Sequence, residues 1–138
     1  MRHRAYELMR RYPDLCLNGY RVGRYSTKNS PKELKSPHLD QAISIICEFV
    51  GYLGMKGCLN KNASRRFGSS YYWKHLVERF STLEGERHWI ANGLFIAVLR
   101  DLGLPEEQIR NTPNAMVPLG GKADKAIRQL MKESKVHA

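Results

Sequence analysis

No acidic residue occurs between Glu48 and Glu78, although Lys56, Lys61, Arg65, Arg66 and Lys74 all fall in that interval. A second acid-free stretch runs from Leu15 to Lys32. Neither stretch supplies the paired carboxylates that a cation-dependent nuclease needs. Cysteine is scarce: Cys16, Cys47 and Cys58 are far apart and form no C-x-x-C pair, which leaves a zinc-ribbon or thioredoxin-type motif without support. An odd number of thiols with no signal peptide fits a reducing cytoplasm. No apolar run approaches the roughly 18 residues that a membrane helix requires, so no membrane partner is expected. The P-loop, G-x-G-x-x-G, G-x-S-x-G and H-E-x-x-H motifs are all missing. The sequence therefore assigns no catalytic residue, no metal ligand and no cofactor.

Positive charge is what the chain has in excess. Its 138 residues carry 23 Lys and Arg against 13 Asp and Glu, a net charge of +10. Residues 1–35 hold 9 basic and 3 acidic groups, a local balance of +6, and the rest of the chain is milder. An imbalance of this size favours anionic partners: nucleic acid, a nucleic-acid-bound complex, or an acidic protein face. Apolar residues make up 42% of the chain, which is enough for an ordinary core. The length suits a single domain, 1–138, with an N-terminal basic region (1–35), a helical core (36–110) and a C-terminal loop followed by a basic amphipathic helix (111–138).

The patterning predicts a mostly α fold, a small helical bundle with long basic loops. A short basic helix over residues 2–11 buries Ala5, Leu8 and Met9 and stops at Pro13. Asn18-Gly19 within a turn-rich stretch allows a short β-hairpin near residues 15–25. Ser36-Pro37 opens a long helix whose apolar stripe runs through Leu39, Ala42, Ile43, Ile46, Phe49, Val50 and Leu53. Ser69 or Ser70 caps the next helix, with Trp73, Leu76, Val77 and Phe80 inside and Tyr71, Lys74, His75 and Glu78 outside. A third helix is expected from about Glu86 to Leu102, with Trp89, Ile90, Leu94, Val98 and Leu102 inside and Gly103 just past its end. Gly93 within it implies a close approach of another helix, with Asn92 bonded to nearby backbone. The prolines and glycines of residues 111–121 read as a loop, and Ala123, Ile127, Leu130 and Met131 mark a last amphipathic helix.

Residues 60–73, NKNASRRFGSSYYW, interleave cations with small polar and aromatic residues just before a helix start. That mixture suits phosphate oxygens and base faces. The candidate contact residues are Lys61, Arg65, Arg66, Tyr71, Lys74, His75 and Arg79. The bland alternative is a solvated loop capped by serines. His75 and Glu78 stand at i, i+3, a spacing that occurs in metal sites but is more often a surface polar pair. A metal-dependent hydrolase using that pair is one alternative function. A stand-alone DNA- or RNA-binding regulator without sequence preference is another.

SSYYWKHLVER followed by WIANGLFIAVLRDLGL resembles a pattern in small proteins of phages, plasmids and other mobile elements. There Ser-Ser/Tyr-Tyr precedes Lys-His and an acid, and a Y/W-x-x-N-G-x-F-I-x-A segment and a glycine follow. The likeness covers Ser69 to Gly103, with Trp73 and Val98 standing where smaller residues are usual. It implies a mobile-element setting rather than a reaction. Small proteins of that setting include inhibitors of host defence, among them anti-CRISPR proteins. The expected function is thus a non-enzymatic interaction protein that binds nucleic acid or a nucleic-acid-bound host complex, with a CRISPR effector as the concrete candidate.

Overall fold

Local signals position most of the helices in the computed structural model, which describes residues 3–64 and 68–137. Helix α1 (Arg4–Arg11) buries Ala5, Leu8 and Met9 and ends before Pro13, which cannot continue a helix. A two-residue pairing of β1 (Leu15–Cys16) with β2 (Gly19–Tyr20) follows. Helix α2 (Pro31–Leu34) is a single turn. In α3 (Pro37–Met55) the Ser36 hydroxyl accepts the His38 N–H, and the seven stripe residues are all buried. Ser69 caps α4 (Ser70–Ser81) in the same way through the Tyr71 N–H. Helix α5 (Asn92–Asp101) is buried at every residue from Asn92 to Leu99 and lies at the centre of the molecule. Gly103 takes a φ of 77° just past its end. Helix α6 (Gly121–His137) closes the fold with Ala123 and Ile127 inside.

The expected helical bundle is corrected to a mixed α/β domain. A three-stranded antiparallel sheet is built from β3 (Leu59–Ser64) and β5 (Ala115–Leu119), whose segments read as loops, and β4 (Glu107–Gln108), which lies where Leu104-Pro105-Glu106-Glu107 reads as opening a short fourth segment to about Arg110, in the order β3-β5-β4. Pro118 disguises β5, because proline in a central strand removes a ladder donor. It is tolerated because β4 reaches only Ala115 and Met116, and the β3–β5 register is irregular between its two ends. Ala115, Val117 and Leu119 then bury themselves in the core.

Helix α5 also begins later than its periodicity suggests. The N–H groups that would open a helix at residue 86 are taken by α4 instead: His88 N donates to Ser81 Oγ at 2.8 Å and Ile90 N to Glu78 Oε2 at 2.9 Å. Residues 86–91 therefore run non-helically, and Trp89 is carried out to solvent at 50% exposure rather than into the core. Leu102, expected inside, is 48% exposed at the end of α5. Gly93 does meet a close neighbour, but the neighbour is the β1–β2 turn rather than a helix. A Cβ at Gly93 would stand 1.6 Å from the Cys16 carbonyl oxygen. None of the helices among the described residues is long and apolar enough to cross a membrane.

Candidate functional site

Helix α4 projects its functional side chains from a face that is only partly wet. Tyr71 is exposed, as the spacing predicts, and His75 and Arg79 reach solvent. Lys74 and Glu78, expected outside, are 6% and 3% exposed. The segment before α5 covers them, a burial that helical phase does not reveal.

Glu78 is the hub of this face. Its carboxylate accepts from Ile90 N and Arg87 Nη2 at 2.9 Å, from His75 Nδ1 at 2.9 Å, and from Lys74 Nζ at 3.3 Å. Burial alone would raise its pKa. The Ile90 N–H, Arg87, His75 and Lys74 outweigh that and hold it at about 2. The carboxylate is thus ionised, so the proton on His75 Nδ1 is the donor and Nε2 is the ring nitrogen that Glu78 does not engage. Lys74 also stands 5.2 Å from the centre of the Tyr71 ring, and the His75 ring meets that ring edge-on at 4.5 Å. Lys74, Arg87 and Glu78 by themselves sum to +1. Four donors fill the acceptor sites of one carboxylate and leave no direction for a cation. Among the described residues no group of three metal-ligating side chains occurs.

Two concave surfaces meet at Tyr71. The first is a cleft of about 570 Å³ whose lining includes Tyr71, Lys74, Trp89, Asn92, Asn111 and Asn114. Asn92 is held there by donating Nδ2 to Asn18 O, Pro113 O and Asn114 Oδ1 at 3.0, 3.4 and 3.1 Å. Among the described residues no Asp or Glu lines this cleft. The second is a groove between α4 and α6 of about 470 Å³, lined by Tyr71, Tyr72, His75, Leu76, Arg79 and Arg128 among others. A smaller depression shared by Arg79, Arg128, Met131 and Lys132 extends it. Arg128 is fixed by Asp124 at 3.0 Å and by the Tyr72 hydroxyl at 2.9 Å. Another cleft, of about 510 Å³, includes Glu48, Glu84 and Glu86, which makes it unfavourable for an anion.

Of the candidate contact residues, Tyr71, Lys74, His75 and Arg79 come together here. Lys61 does not: it is exposed on β3, a strand at the sheet border, where a lysine discourages strand addition. Arg65 and Arg66 lie outside the described residues. Sequence reasoning missed Arg128 and Lys132 as part of the same groove, because no local signal tells which face of α4 the last helix crosses. It missed Trp89 as a surface ring because its apolar neighbours suggested burial.

The SSYYWKHLVER and WIANGLFIAVL segments each have a structural role. Ser69 is the α4 cap. Ser70 Oγ accepts the Ala115 N–H at 2.9 Å and ties α4 to the sheet. Lys74 and Glu78 form a buried pair that His75 joins from the solvent side, and Asn92-Gly93 docks α5 on the β1–β2 turn. The residues define a small mixed α/β domain with an aromatic, amide-lined cleft beside a basic groove. Comparison with models of protein families, with curated proteins and with solved structures found no match to this chain.

Proposed function

We propose that this chain is a non-catalytic binding protein that engages a nucleic-acid backbone, free or held in a host complex. The observation that carries the reading is the α4–α6 groove, where His75, Arg79, Arg128 and Lys132 line two adjoining depressions that share Arg79 and Arg128, the first of them reaching the exposed Tyr71 ring. Guanidinium groups suit phosphate oxygens in paired geometry. Fixing Arg128 on Asp124 and Tyr72 lowers the entropic cost of binding. The net charge of +10 supports the same partner class. Within a mobile-element setting, the concrete version is an inhibitor that occupies a strand-binding route of a guide-RNA-bound nuclease. A regulator acting alone on DNA or RNA is the second version, and the apolar surround of α5 argues against that helix as a groove reader. The hydrolase alternative gains no support from Glu78, whose lone pairs serve the fold.

Affinity for short single-stranded DNA, RNA and duplex at several salt concentrations tests the reading. Binding that weakens steeply with salt is expected. Copurification with host effectors, repeated after nuclease treatment, separates the two versions. Retention after nuclease points to a protein-held complex, and loss points to free nucleic acid. No binding to any of the three at low salt, with no effector recovered, refutes both.

A further inference from the structure

We infer that the cleft between Tyr71 and Trp89 receives one unstacked base of a single-stranded nucleic acid. The inference rests on the α4–α6 groove serving as the backbone track, and it adds what that groove alone does not supply: a stacking platform. Four large apolar side chains are exposed among the described residues, Met55, Tyr71, Trp89 and Leu102, and two of them line this one cleft. Scattered exposed apolar residues need no explanation, whereas two aromatic residues lining one concavity do.

The rest of the lining matches a base rather than an aliphatic chain. Asn111 and Asn114 line it with amides, groups that donate and accept as base edges do, although the Asn114 Oδ1 already accepts from Asn92. Lys74 adds a nearly buried ammonium, a donor for ring carbonyls, in surroundings that retain a charge of +1. With no carboxylate among its described lining residues, the cleft stays open to an anionic nucleotide. Its volume of about 570 Å³ is typical of small-molecule sites. Tyr71 lines the cleft and the groove alike, so a strand whose phosphates follow Arg79 and Arg128 delivers a base beside Trp89. Carbohydrate also packs on aromatic rings, but it draws nothing from the adjoining arginines.

Trp89 provides the readout, since Trp73 is fully buried and a stacked base quenches the exposed indole. The full chain and its variants are titrated with short single-stranded homopolymers and with the same strands carrying one abasic residue, with anisotropy of end-labelled strands giving the affinity of every variant and Trp89 quenching added for the native chain. Saturable quenching is expected, with affinity about five- to 150-fold lower when the seated base is removed. Trp89→Ala is expected to abolish that discrimination while leaving the salt slope unchanged, and Trp89→Phe to restore part of it. Arg79→Ala with Arg128→Ala is expected to flatten the salt slope and keep the discrimination. Abasic strands that bind as tightly as intact ones, or discrimination that survives Trp89→Ala, overturn the cleft assignment and leave the groove reading standing. Quenching by nucleoside monophosphates without salt-dependent strand binding overturns the groove reading and leaves the cleft. Saturable quenching by oligosaccharides and not by nucleotides overturns the base assignment, and no binding of any probe overturns both.

Discussion

Glu78 gathers four donors on one carboxylate, and its ionisation is therefore coupled to folding. Its pKa falls from an ordinary 4.5 to about 2, because the Ile90 N–H, Arg87, His75 and Lys74 together outweigh the cost of burial. A depressed carboxylate contributes stability that is fully present above its unfolded pKa and is lost as pH drops through the folded one. The window is thus pH 4.5 down to about 2, and the contribution is roughly 3 kcal/mol. Acid unfolding followed by circular dichroism is expected to show this loss in the native chain. A Glu78→Gln variant, less stable at neutral pH, is expected to show a flatter acid limb. The two tryptophans offer a second contrast. Trp73 is fully buried, edge-on to Phe49 at 6.4 Å, and Trp73→Ala is expected to cost about 3–5 kcal/mol in urea denaturation. Trp89→Ala is expected to change stability by less than about 0.5 kcal/mol. Trp73→Phe is expected to fall between them, because it also removes an indole N–H that finds no partner among the described residues.

The start of α5 shows how one element is held by backbone contact rather than by side-chain packing. Gly93 N donates to Leu17 O at 2.9 Å, Tyr20 N donates to Pro113 O at 2.9 Å, and Asn92 joins the two loops. Alanine is favoured over glycine in a helix by about 1 kcal/mol. Gly93→Ala is nevertheless expected to destabilise by about 3 kcal/mol, because its Cβ would overlap the Cys16 carbonyl, a backbone atom that cannot swing aside. A melting temperature raised by this change would place the turn elsewhere. Asn92→Asp sets two further effects against each other. A carboxylate at a helix start gains about 0.3–1 kcal/mol from the dipole. Here it would also replace an amide that serves three oxygen acceptors, and the net loss is expected to exceed about 2 kcal/mol. Chemical denaturation of Asn92→Asp beside Asn92→Ala measures that balance.

On the scale of the whole molecule, the charge excess acquires a direction. Arg79, Arg128 and Lys132 share one depression between α4 and α6, while Glu48, Glu84 and Glu86 line a different cleft. Replacing Arg79 and Arg128 by alanine is expected to leave folding nearly intact. Both residues are exposed, and a surface pair such as Arg128–Asp124 contributes at most about 1 kcal/mol. The salt dependence of strand binding is expected to fall by roughly 0.7–0.9 log units for each phosphate that the variant no longer engages. An unchanged slope with unchanged affinity would move the interface away from this groove.

The starts of α3 and α4, the buried stripe of α3, the exposure of Tyr71, the burial of Trp73, the tight approach at Gly93 and the cationic character of the chain are all legible in the residues alone. Caps, helical period and glycine conformation are local, so each is written within a few consecutive residues. Long-range packing set the sheet that pairs residues 59–64 with 115–119, whose partners lie more than fifty residues apart. It also decided that Lys74 and Glu78 are covered while Trp89 is not. Periodicity tells which residues share a helix face, but whether that face meets water depends on the segment that crosses it. Here the crossing segment is recruited by Glu78 itself, whose carboxylate holds the Ile90 N–H and turns Trp89 outward beside Tyr71.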